Sequence, residues 1–272
     1  MSMRRIVCLV VGIASVFGVT SPAAAGSLGE HRFSVRCDFS HLRQVDPIVT
    51  PGPAGTLASH LHAFFGNRST DSDSTHASMV TSRTTCEFSK DRAGYWVPSL
   101  VRPDGTVVEP TSSFAYYRAN SAIEDEVIRP FPRDFRLISD RYVYHCGSMR
   151  RESLGPVDCR GVPNSKVVLS ILFPPCWDGV HRDSADHRSH ALWPTGMACP
   201  ASHPVELPVL ALHVHFPLDH ITPEWRLTSG PLDGAHGDFW NSWKQRSLRR
   251  LVHLCLGVTK SVGDRVCERV QD

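Results

Sequence analysis

The chain has 272 residues and carries 29 lysines and arginines against 27 aspartates and glutamates, a formal net charge of +2. This balance lacks the basic field that holds a phosphate backbone, so nucleic acid is not an expected partner. A chain of this length can form one β-rich domain or two smaller ones. Because no repeat, low-complexity tract or linker-like change of composition interrupts it, residues 26–272 are predicted to form a single secreted domain.

The first 25 residues have the three parts of an export signal. Arg4 and Arg5 form the positive region, Ile6 to Val19 form the apolar region, and Ala23-Ala24-Ala25 is a small-residue cleavage site. The apolar run is too short for a membrane-spanning helix, and no later stretch approaches that length. Residues 1–25 are therefore predicted to be a signal peptide. The mature protein is expected to be extracellular with no membrane span, and a retained N-terminal anchor is the alternative.

Eight of the nine cysteines lie beyond the predicted signal peptide, which contains Cys8. An even number of cysteines in an exported chain predicts up to four disulfides. The short loops favour pairing of Cys146 with Cys159 and of Cys255 with Cys267, and the sequence leaves the other pairings open. A thiolate zinc site is the alternative, but no C-x-x-C spacing supports it.

Nineteen glycines and 20 prolines separate short apolar runs along most of the chain. Short strands between turn residues are typical of an all-β sandwich or barrel. Pro103-Asp104-Gly105 stands between two apolar runs and predicts a hairpin turn. The predicted fold is therefore mainly β: a disulfide-stapled, jelly-roll-like β-sandwich. Its long loops, such as Asn67 to Ser82 and Asp178 to Pro194, would carry functional groups over the scaffold.

The pattern changes near the C-terminus. From Asp238 to Cys255, apolar residues recur largely at helical spacing. Asp238 is a suitable N-cap, and Gly257 lies where a helix would end. The sequence therefore predicts one C-terminal amphipathic helix, with its end held by a disulfide between Cys255 and Cys267.

Histidines are the strongest chemical signal, since the chain contains 15. Imidazole titrates near neutral pH and is the commonest metal ligand. His60 and His62 would lie on one face of a strand, where both rings could meet one ion or one substrate; the alternative is a pair of hydrogen-bonded structural histidines. His187 and His190 would share a face of a helical turn, or Asp186 would orient one of them in a loop.

Two further segments carry groups suited to chemistry. His236 and Asp238 would lie at the start of the predicted helix, where exposed amides favour anions, although Asp238 could be only a cap. Trp177 beside Asp178 is a frequent sugar-binding pair, and a packed tryptophan in a stapled loop is the alternative.

The segment His213-Val214-His215-Phe216 is similar to the H-x-H-F strand of secreted zinc endopeptidases that cut peptidoglycan. The upstream histidine and aspartate of that family have no convincing match here, which favours a structural strand. No G-x-S-x-G elbow, H-E-x-x-H, P-loop or dinucleotide fingerprint occurs in the sequence. Serine-hydrolase, zincin and nucleotide-dependent functions therefore lose most of their support.

Taken in order, the motifs resemble a family of secreted fungal and actinobacterial proteins known as a domain of unknown function, DUF1996. The resemblance runs from about Asp46 to Cys255. It implies a shared fold and a shared site without an established reaction, and the His213–His215 pair is not part of it. Ser242 stands where the family often has glycine. The matching segments are Asp46-Pro47-Ile48-Val49, Pro51-Gly52, Ser59-His60-Leu61-His62, Phe65-Gly66, Thr84-Thr85-Cys86, Tyr95-Trp96-Val97-Pro98, Tyr116-Tyr117, Phe173-Pro174, Cys176-Trp177-Asp178-Gly179, Asp186-His187, Ser189-His190, His236-Gly237-Asp238-Phe239 and Trp243.

Two functional hypotheses follow. The first is a secreted carbohydrate-active enzyme, a lyase or a hydrolase, acting on wall or environmental polysaccharide. In a lyase, a histidine or a tyrosine (Tyr116 or Tyr117) would remove a proton beside a uronic carboxylate, which other imidazoles or a metal would neutralise. In a hydrolase, Asp178 and Asp238 would be the paired carboxylates. The second hypothesis is a non-catalytic extracellular protein that binds a metal ion or a glycan.

The candidate site residues fall into three groups, and the resemblance implies that the six histidine and aspartate members of the first group meet in one place. The candidate catalytic residues are His60, His62, Tyr117, His187, His190, His236 and Asp238. The candidate substrate-binding residues are Trp96, Trp177, Asp178 and Trp243. The candidate ligands of a divalent metal ion, as an alternative role, are His60, His62, His187 and His190. The expected partner is an extracellular polysaccharide or glycan.

Overall fold

A computed structural model describes residues 32–53, 57–120, 127–147 and 149–257, together with residues 267, 270 and 272. The predicted signal peptide lies outside the described residues. The described chain is mainly β. Its strands are β1 (Arg32–Arg43), β2 (His62–Gly66), β3 (Gly94–Pro98), β4 (Leu100–Val101), β5 (Val107–Val108), β6 (Ser112–Arg118), β7 (Arg136–Ser139), β8 (Arg141–Cys146), β9 (Arg150–Ser153), β10 (Val157–Asp158), β11 (Val167–Phe173), β12 (Cys176–Trp177), β13 (Ala191–Leu192), β14 (Val205–Glu206), β15 (Val209–His215), β16 (His220–Ile221), β17 (Arg226–Leu227), β18 (Gly230–Pro231) and β19 (Gly237–Trp240).

Ten of these strands form one antiparallel sheet in the order β7-β19-β3-β2-β1-β6-β15-β11-β8-β9. Strand β1 makes the corner of this sheet: residues 32–38 pair with β6, and residues 39–43 pair with β2. The register shifts between Phe39 and His41, and such an irregularity bends a strand. The sheet therefore curls into two layers that meet along β1.

The main hydrophobic core fills the space between the two layers, and it includes Phe33, Tyr95, Tyr117 and Phe239. The free edge of the first layer comes back onto the second layer, where the Ser139 hydroxyl donates to the Leu172 carbonyl. The prediction of a mainly β, disulfide-bonded fold is confirmed, and the layers of the predicted sandwich belong to one curled sheet.

The layer formed by β7, β19, β3 and β2 also buries residues on its outer face. Side chains alternate between the two faces of a strand, so Tyr95 joins the main core while Trp96 points outward. Trp96 packs there with Phe64, Ile138 and Trp240 in a second apolar cluster. The candidate site lies on this outer face.

Four disulfides cross-link the chain: Cys37–Cys86, Cys146–Cys159, Cys176–Cys199 and Cys255–Cys267. The prediction of four bridges is confirmed, as are the two pairings favoured by short loops. Disulfides of this number are typical of proteins that fold in an oxidising compartment, as extracellular proteins do.

Two α-helices are present among the described residues, the single turn α1 (His76–Met79) and α2 (Gln245–Leu251). Helix α2 continues as a π-helical turn, Val252–Leu256, and ends at Gly257 as predicted. The prediction that this helix begins at Asp238 is wrong, because Asp238 lies within β19.

The apolar spacing that suggested an early helix start has a different cause. Phe239 lies on a strand and faces the core, whereas Trp243 follows a turn. The Asn241 side chain holds this turn, since its amide donates to the carbonyls of Phe131 and Pro132 and its oxygen accepts from the Trp243 amide. The apolar residues whose spacing predicts one helix therefore belong to three elements: the end of a strand, a turn and a helix.

The hairpin predicted at Pro103-Asp104-Gly105 is confirmed: it joins β4 to β5, and Gly105 has a φ of 87°, which suits glycine. The two long loops are also largely irregular, with α1 in the first and the short β13 in the second. In the part of the chain that the structure describes, every helix is too short or too polar to cross a membrane.

Candidate metal centre

Three imidazoles meet on the outer face of the first layer. His62 is the first residue of β2, His60 precedes that strand, and His236 precedes β19. The ring centroid of His60 lies 4.2 Å from that of His62 and 5.2 Å from that of His236. One ring nitrogen of each residue lies within 4.8 Å of the others. Residues that are 176 positions apart in the sequence are therefore neighbours, because β3 alone separates β2 from β19.

Backbone carbonyls orient two of these rings. His62 Nδ1 donates to the Val45 carbonyl at 2.8 Å, and His236 Nδ1 donates to the Gly234 carbonyl at 3.1 Å. A carbonyl oxygen can only accept, so the proton of each neutral ring sits on Nδ1 and the lone pair sits on Nε2. This is the arrangement in which a histidine usually binds a metal ion. Among the described residues, Nε2 of His60 and Nε2 of His62 are buried without a hydrogen-bond partner.

Two carboxyl groups form a second triad of ligand atoms, which shares His62 with the first. Asp46, His62 and Asp238 each offer a ligand atom within 4.8 Å of the others. Asp46 Oδ1 accepts from the amides of Ile48 and Val49 at 3.0 Å, which fixes its side chain and leaves Oδ2 available. We refer to His60, His62, His236, Asp46 and Asp238 as the metal centre.

Asp238 is the most unusual member of the metal centre. It lies in the middle of the sheet, paired with Trp96 on β3 and with Ile138 on β7, and it is fully buried. Neither carboxyl oxygen has a hydrogen-bond partner among the described residues. Buried carboxyl groups are nearly always paired, because burying an unpartnered charge is very unfavourable. A cation or a bound proton is needed here.

The electrostatics of the metal centre favour the binding of a cation. Burial raises the pKa of Asp238 well above its usual value, and the Asp46 carboxylate raises it further. Burial also lowers the pKa of His60 to about 4, and burial followed by the neighbouring imidazoles lowers the pKa of His62. Neutral imidazoles with free Nε2 lone pairs are ready to bind a metal ion.

The ligand atoms of each triad are spaced somewhat more widely than a bound ion requires. Two ligand nitrogens that each lie about 2.0–2.1 Å from a tetrahedral metal ion are about 3.4 Å apart. The observed limit of 4.8 Å therefore asks the atoms of a triad to approach one another by up to about 1.4 Å. His60 and His236 are partly exposed, so solvent or a small molecule can reach the centre from their side.

A loop along the edge of β7 forms a wall of the metal centre. The Arg136 amide donates to the Arg182 carbonyl, and the Ile138 amide donates to the His187 carbonyl. His187 Nδ1 contacts Asp183 Oδ1 at 2.7 Å, and its φ of 57° is uncommon for a residue other than glycine. Burial raises the pKa of Asp46, and the nearby His187 imidazole offsets a small part of that rise. His187 does not belong to the cluster of ligand atoms.

Arg188 lies next to His187 on this wall. Its guanidinium pairs with Asp140 at 2.9 Å, and both side chains are largely exposed. Arg188 also lowers the pKa of Asp238, so its positive charge reaches the centre. Asp186 holds the loop by accepting hydrogen bonds from the amides of Arg188 and Ser189, and no hydrogen bond joins it to an imidazole of the described residues.

His190 lies apart from the metal centre. Its Nδ1 contacts the Ser184 hydroxyl at 2.8 Å and its Nε2 contacts the Arg136 carbonyl at 2.7 Å, so both ring nitrogens are occupied. The ring packs edge-on against Phe135. These contacts make His190 a structural residue of the loop and leave no lone pair for a metal ion.

The predicted aromatic and carboxylate partners are also dispersed. Tyr117 and Trp243 lie in the main core, on the other side of the sheet, where the Trp243 indole donates to the Tyr117 hydroxyl at 2.9 Å. Trp96 is on the correct face but fully buried, and its indole nitrogen has no partner among the described residues. No open aromatic platform is formed by these three side chains.

Trp177 is the last residue of β12, and Asp178 begins the loop that follows it. The Trp177 indole donates to the His181 carbonyl, and Asp178 accepts from the amides of Val180 and His181. Because Asp178 holds its own loop while Asp238 is buried in the sheet, the structure does not pair these two carboxylates. His213 and His215 lie on the second layer, away from the metal centre.

Sequence reasoning did not identify Asp46 as a member of the site, nor Asp183 and Arg188 as residues of its wall. Asp46 stands at the start of the segments that resemble the family, and this was the one available signal. Asp183 and Arg188 lie in an ordinary polar loop, and only the hydrogen bonds along β7 bring them to the centre.

The fold and the centre together define a disulfide-bonded, mainly β protein with a cluster of three histidines and two aspartates, of which His62, Asp46 and Asp238 are buried. The chain belongs to the family described as a domain of unknown function, DUF1996, whose profile matches residues 46–243. This range contains all five residues of the metal centre. No curated protein and no solved structure matches the chain significantly.

Proposed function

We propose that the protein is an extracellular metal-binding protein that holds one divalent transition-metal ion at His60, His62, His236 and the two aspartates. The observation that carries this proposal is Asp238, whose two buried oxygens have no partner among the described residues and which offers a ligand atom within 4.8 Å of one from His62. His62 belongs to both triads, so a divalent ion bound to it is close to the carboxyl groups and to the other two imidazoles. The four disulfides support the extracellular setting.

The donor set favours zinc or a neighbouring first-row ion. Imidazole nitrogens suit zinc, copper, iron and nickel, whereas calcium and magnesium prefer sites made of oxygen. Backbone carbonyls that hold the rings of His62 and His236 give the ligands a fixed orientation before the ion arrives.

The direct test is metal content and metal affinity of the purified protein. Elemental analysis should find close to one equivalent of a transition metal, and calorimetry should measure Zn²⁺ binding after chelation. His62→Ala should weaken Zn²⁺ binding by at least about 100-fold, because it removes an oriented ligand. His190→Ala is the matched control, since both nitrogens of that ring are occupied, and its Zn²⁺ affinity should be unchanged. Absence of Zn²⁺, Cu²⁺, Fe²⁺ or Ni²⁺ binding by the wild type would reject the proposal.

A second candidate function is metal-dependent cleavage of an extracellular polysaccharide. It is favoured by His187, whose ring is held by Asp183 beside the centre, and by the exposed cation of Arg188 on the same wall. In this function His187 would accept a proton from the sugar and Arg188 would bind a uronic carboxylate. Burial of Trp96 and Trp243 means that sugar binding would rely on these polar groups.

The experiment is a panel of acidic and neutral polysaccharides incubated with metal-loaded protein. New reducing ends would indicate cleavage, and new ultraviolet absorbance would indicate the unsaturated product of a lyase. Loss of product with His187→Ala, at unchanged Zn²⁺ affinity, would support the enzyme. Tight metal retention with no product from any polysaccharide would instead leave the protein as a non-catalytic metal-binding protein.

A further inference from the structure

Three arginines converge on a pocket away from the metal centre, beside the Cys37–Cys86 disulfide. The pocket has a volume of about 290 Å³, and Arg68, Arg83, Arg92 and Cys86 are among its lining residues. We refer to it as the arginine pocket. None of its arginines has a role in the metal centre.

The backbone holds these arginines in place. An isolated β-bridge joins Asn67 to Thr84, and the Arg68 amide donates to the Arg83 carbonyl at 3.0 Å. Arg92 is partly buried, and its Nη1 donates to the Val80 carbonyl at 2.6 Å. Two of the three side chains therefore start from neighbouring backbone positions, and the third is fixed by a carbonyl.

The positive charge of the pocket is not neutralised within the described part of the chain. The guanidinium groups of Arg68 and Arg83 have no hydrogen-bond or ion-pair partner among the described residues. Nearby carboxylates contact other cations: Asp71 pairs with Arg43 at 2.6 Å, and Asp272 lies 3.5 Å from Lys90. Three like charges around one concavity attract an anion, and guanidinium groups match carboxylate and sulfate oxygens well.

The arginine pocket adjoins a second cavity. Arg68 lines both, and the second cavity has a volume of about 500 Å³ and runs beside the end of β1. We refer to the two cavities together as the groove. Ser40, Ser69 and Thr85 are among the residues that line the second cavity. Hydroxyls can both donate to and accept from the hydroxyl groups of a sugar. A ligand that fills both cavities needs an anionic group at one end and a polar, extended body.

We propose that this groove binds an acidic polysaccharide, with a carboxylate or sulfate group in the arginine pocket and the sugar chain along the second cavity. The overall charge of the protein is nearly balanced, so the attraction is local and does not spread over the surface. The four disulfides fit an extracellular setting, where a polysaccharide is an accessible ligand. This proposal does not depend on the metal centre, and binding is expected with and without Zn²⁺.

The test uses the full protein, with and without chelator, and measures binding to immobilised polygalacturonate and heparin by interferometry. Neutral dextran and single-stranded DNA are the comparison ligands. The variant Arg68→Ala/Arg83→Ala should weaken binding to at least one acidic polysaccharide by at least tenfold, and binding of the wild type should weaken with added salt. The control variant Arg150→Ala/Arg226→Ala removes two exposed arginines elsewhere and should bind as the wild type does.

Arg68 and Arg83 are both exposed, so the double variant should fold. Equal melting temperatures of the variant and the wild type would establish this. Equal binding by the wild type and Arg68→Ala/Arg83→Ala would overturn the proposal. So would a wild type that binds neither acidic polysaccharide at low salt. Binding of single-stranded DNA as tight as that of the polysaccharides would overturn it as well, by assigning the groove to polyanions in general.

Discussion

Two fully buried aspartates lie against opposite faces of strand β3, and their surroundings differ. Asp91 is on the core side, where Oδ1 accepts from the Ala93 amide at 3.1 Å and Oδ2 accepts from the Tyr95 hydroxyl at 2.9 Å. Asp238 is on the outer side, where neither oxygen has a partner among the described residues. Burial raises the pKa of both carboxyl groups, so burial alone does not separate a structural acid from a functional one.

What separates them is the completeness of their hydrogen bonds. Beyond Asp91, the Tyr95 hydroxyl contacts the Tyr117 hydroxyl at 2.7 Å, which accepts from the Trp243 indole. In this chain of polar groups, which runs from Trp243 to Asp91, each side chain has a hydrogen-bond partner. Asp238 has no such network, and its nearest potential ligand partners are His62 and Asp46. A satisfied buried network stabilises a fold, whereas an unsatisfied buried carboxyl group needs a proton, a water molecule or an ion as its partner.

The largest contrast is expected from truncating each aspartate. At pH 5 and without metal, Asp91→Ala should lower the free energy of unfolding by about 2–5 kcal/mol, because it leaves the Tyr95 hydroxyl and the Ala93 amide without acceptors. Asp238→Ala leaves no donor unpaired, and its effect should stay below about 1 kcal/mol. Urea unfolding of the two variants measures both values. Equal destabilisation would remove the distinction drawn between the two sites.

The pH dependence of stability tests the core side alone. Burial raises the pKa of Asp91 to about 7, from 3.8 in an unfolded chain, so the folded protein holds this proton more tightly. Its contribution to stability is complete below pH 3.8 and is lost as pH rises towards 7. Asp91→Asn cannot ionise, so its stability relative to the wild type should rise between pH 4 and pH 8, by roughly 4 kcal/mol at most.

The other two buried aspartates, Asp46 and Asp238, do not disturb this measurement. Asp238 and Asp46 titrate in both the wild type and Asp91→Asn, so their contributions cancel in the difference. The comparison is made on chelator-treated protein, at several urea concentrations and constant ionic strength. A difference that stays constant from pH 4 to pH 8 would mean that Asp91 keeps an ordinary pKa in the folded state.

Metal addition tests the outer side. A ligand present at 100 times its dissociation constant stabilises a folded protein by about 2.7 kcal/mol. Zn²⁺ should therefore stabilise the wild type and Asp91→Asn alike, and should stabilise Asp238→Asn much less. Melting temperature as a function of Zn²⁺ concentration is the measurement. Equal Zn²⁺ stabilisation of Asp238→Asn and the wild type would mean that Asp238 is not a ligand of the metal ion.

Much of the fold could be predicted from local patterns. Turn residues such as Asp104-Gly105 have conformational requirements that act over a few residues, and Cys146 and Cys159 are close along the chain, so their geometry follows from their spacing. The start of α2 could not be predicted, since Phe239 and Trp243 fit both a helix and a strand followed by a turn.

The candidate site was predictable in part. His60 and His62 could be paired because strand periodicity puts them on one face, but their meeting with His236 depends on strand order across the sheet, which single-sequence patterns do not encode. The occupied nitrogens of His190 were equally hidden, since they depend on the Arg136 carbonyl of another element. Asp46 is brought to the site by its loop, in which the carbonyl of the preceding residue, Val45, accepts a hydrogen bond from His62. No pattern in the sequence predicts that contact.

The smallest contrast concerns two tryptophans that differ in the same way as the aspartates. Trp243 donates to the Tyr117 hydroxyl, whereas the buried indole nitrogen of Trp96 has no partner among the described residues. Changing either residue to phenylalanine removes a similar volume, so the packing losses nearly cancel in the comparison. Trp243→Phe should destabilise the protein by about 1 kcal/mol more than Trp96→Phe, which is the net value of one hydrogen bond. Urea unfolding of both variants without metal measures this difference, and a larger loss for Trp96→Phe would show that its indole hydrogen is bonded in solution, through water or through a residue of the metal centre.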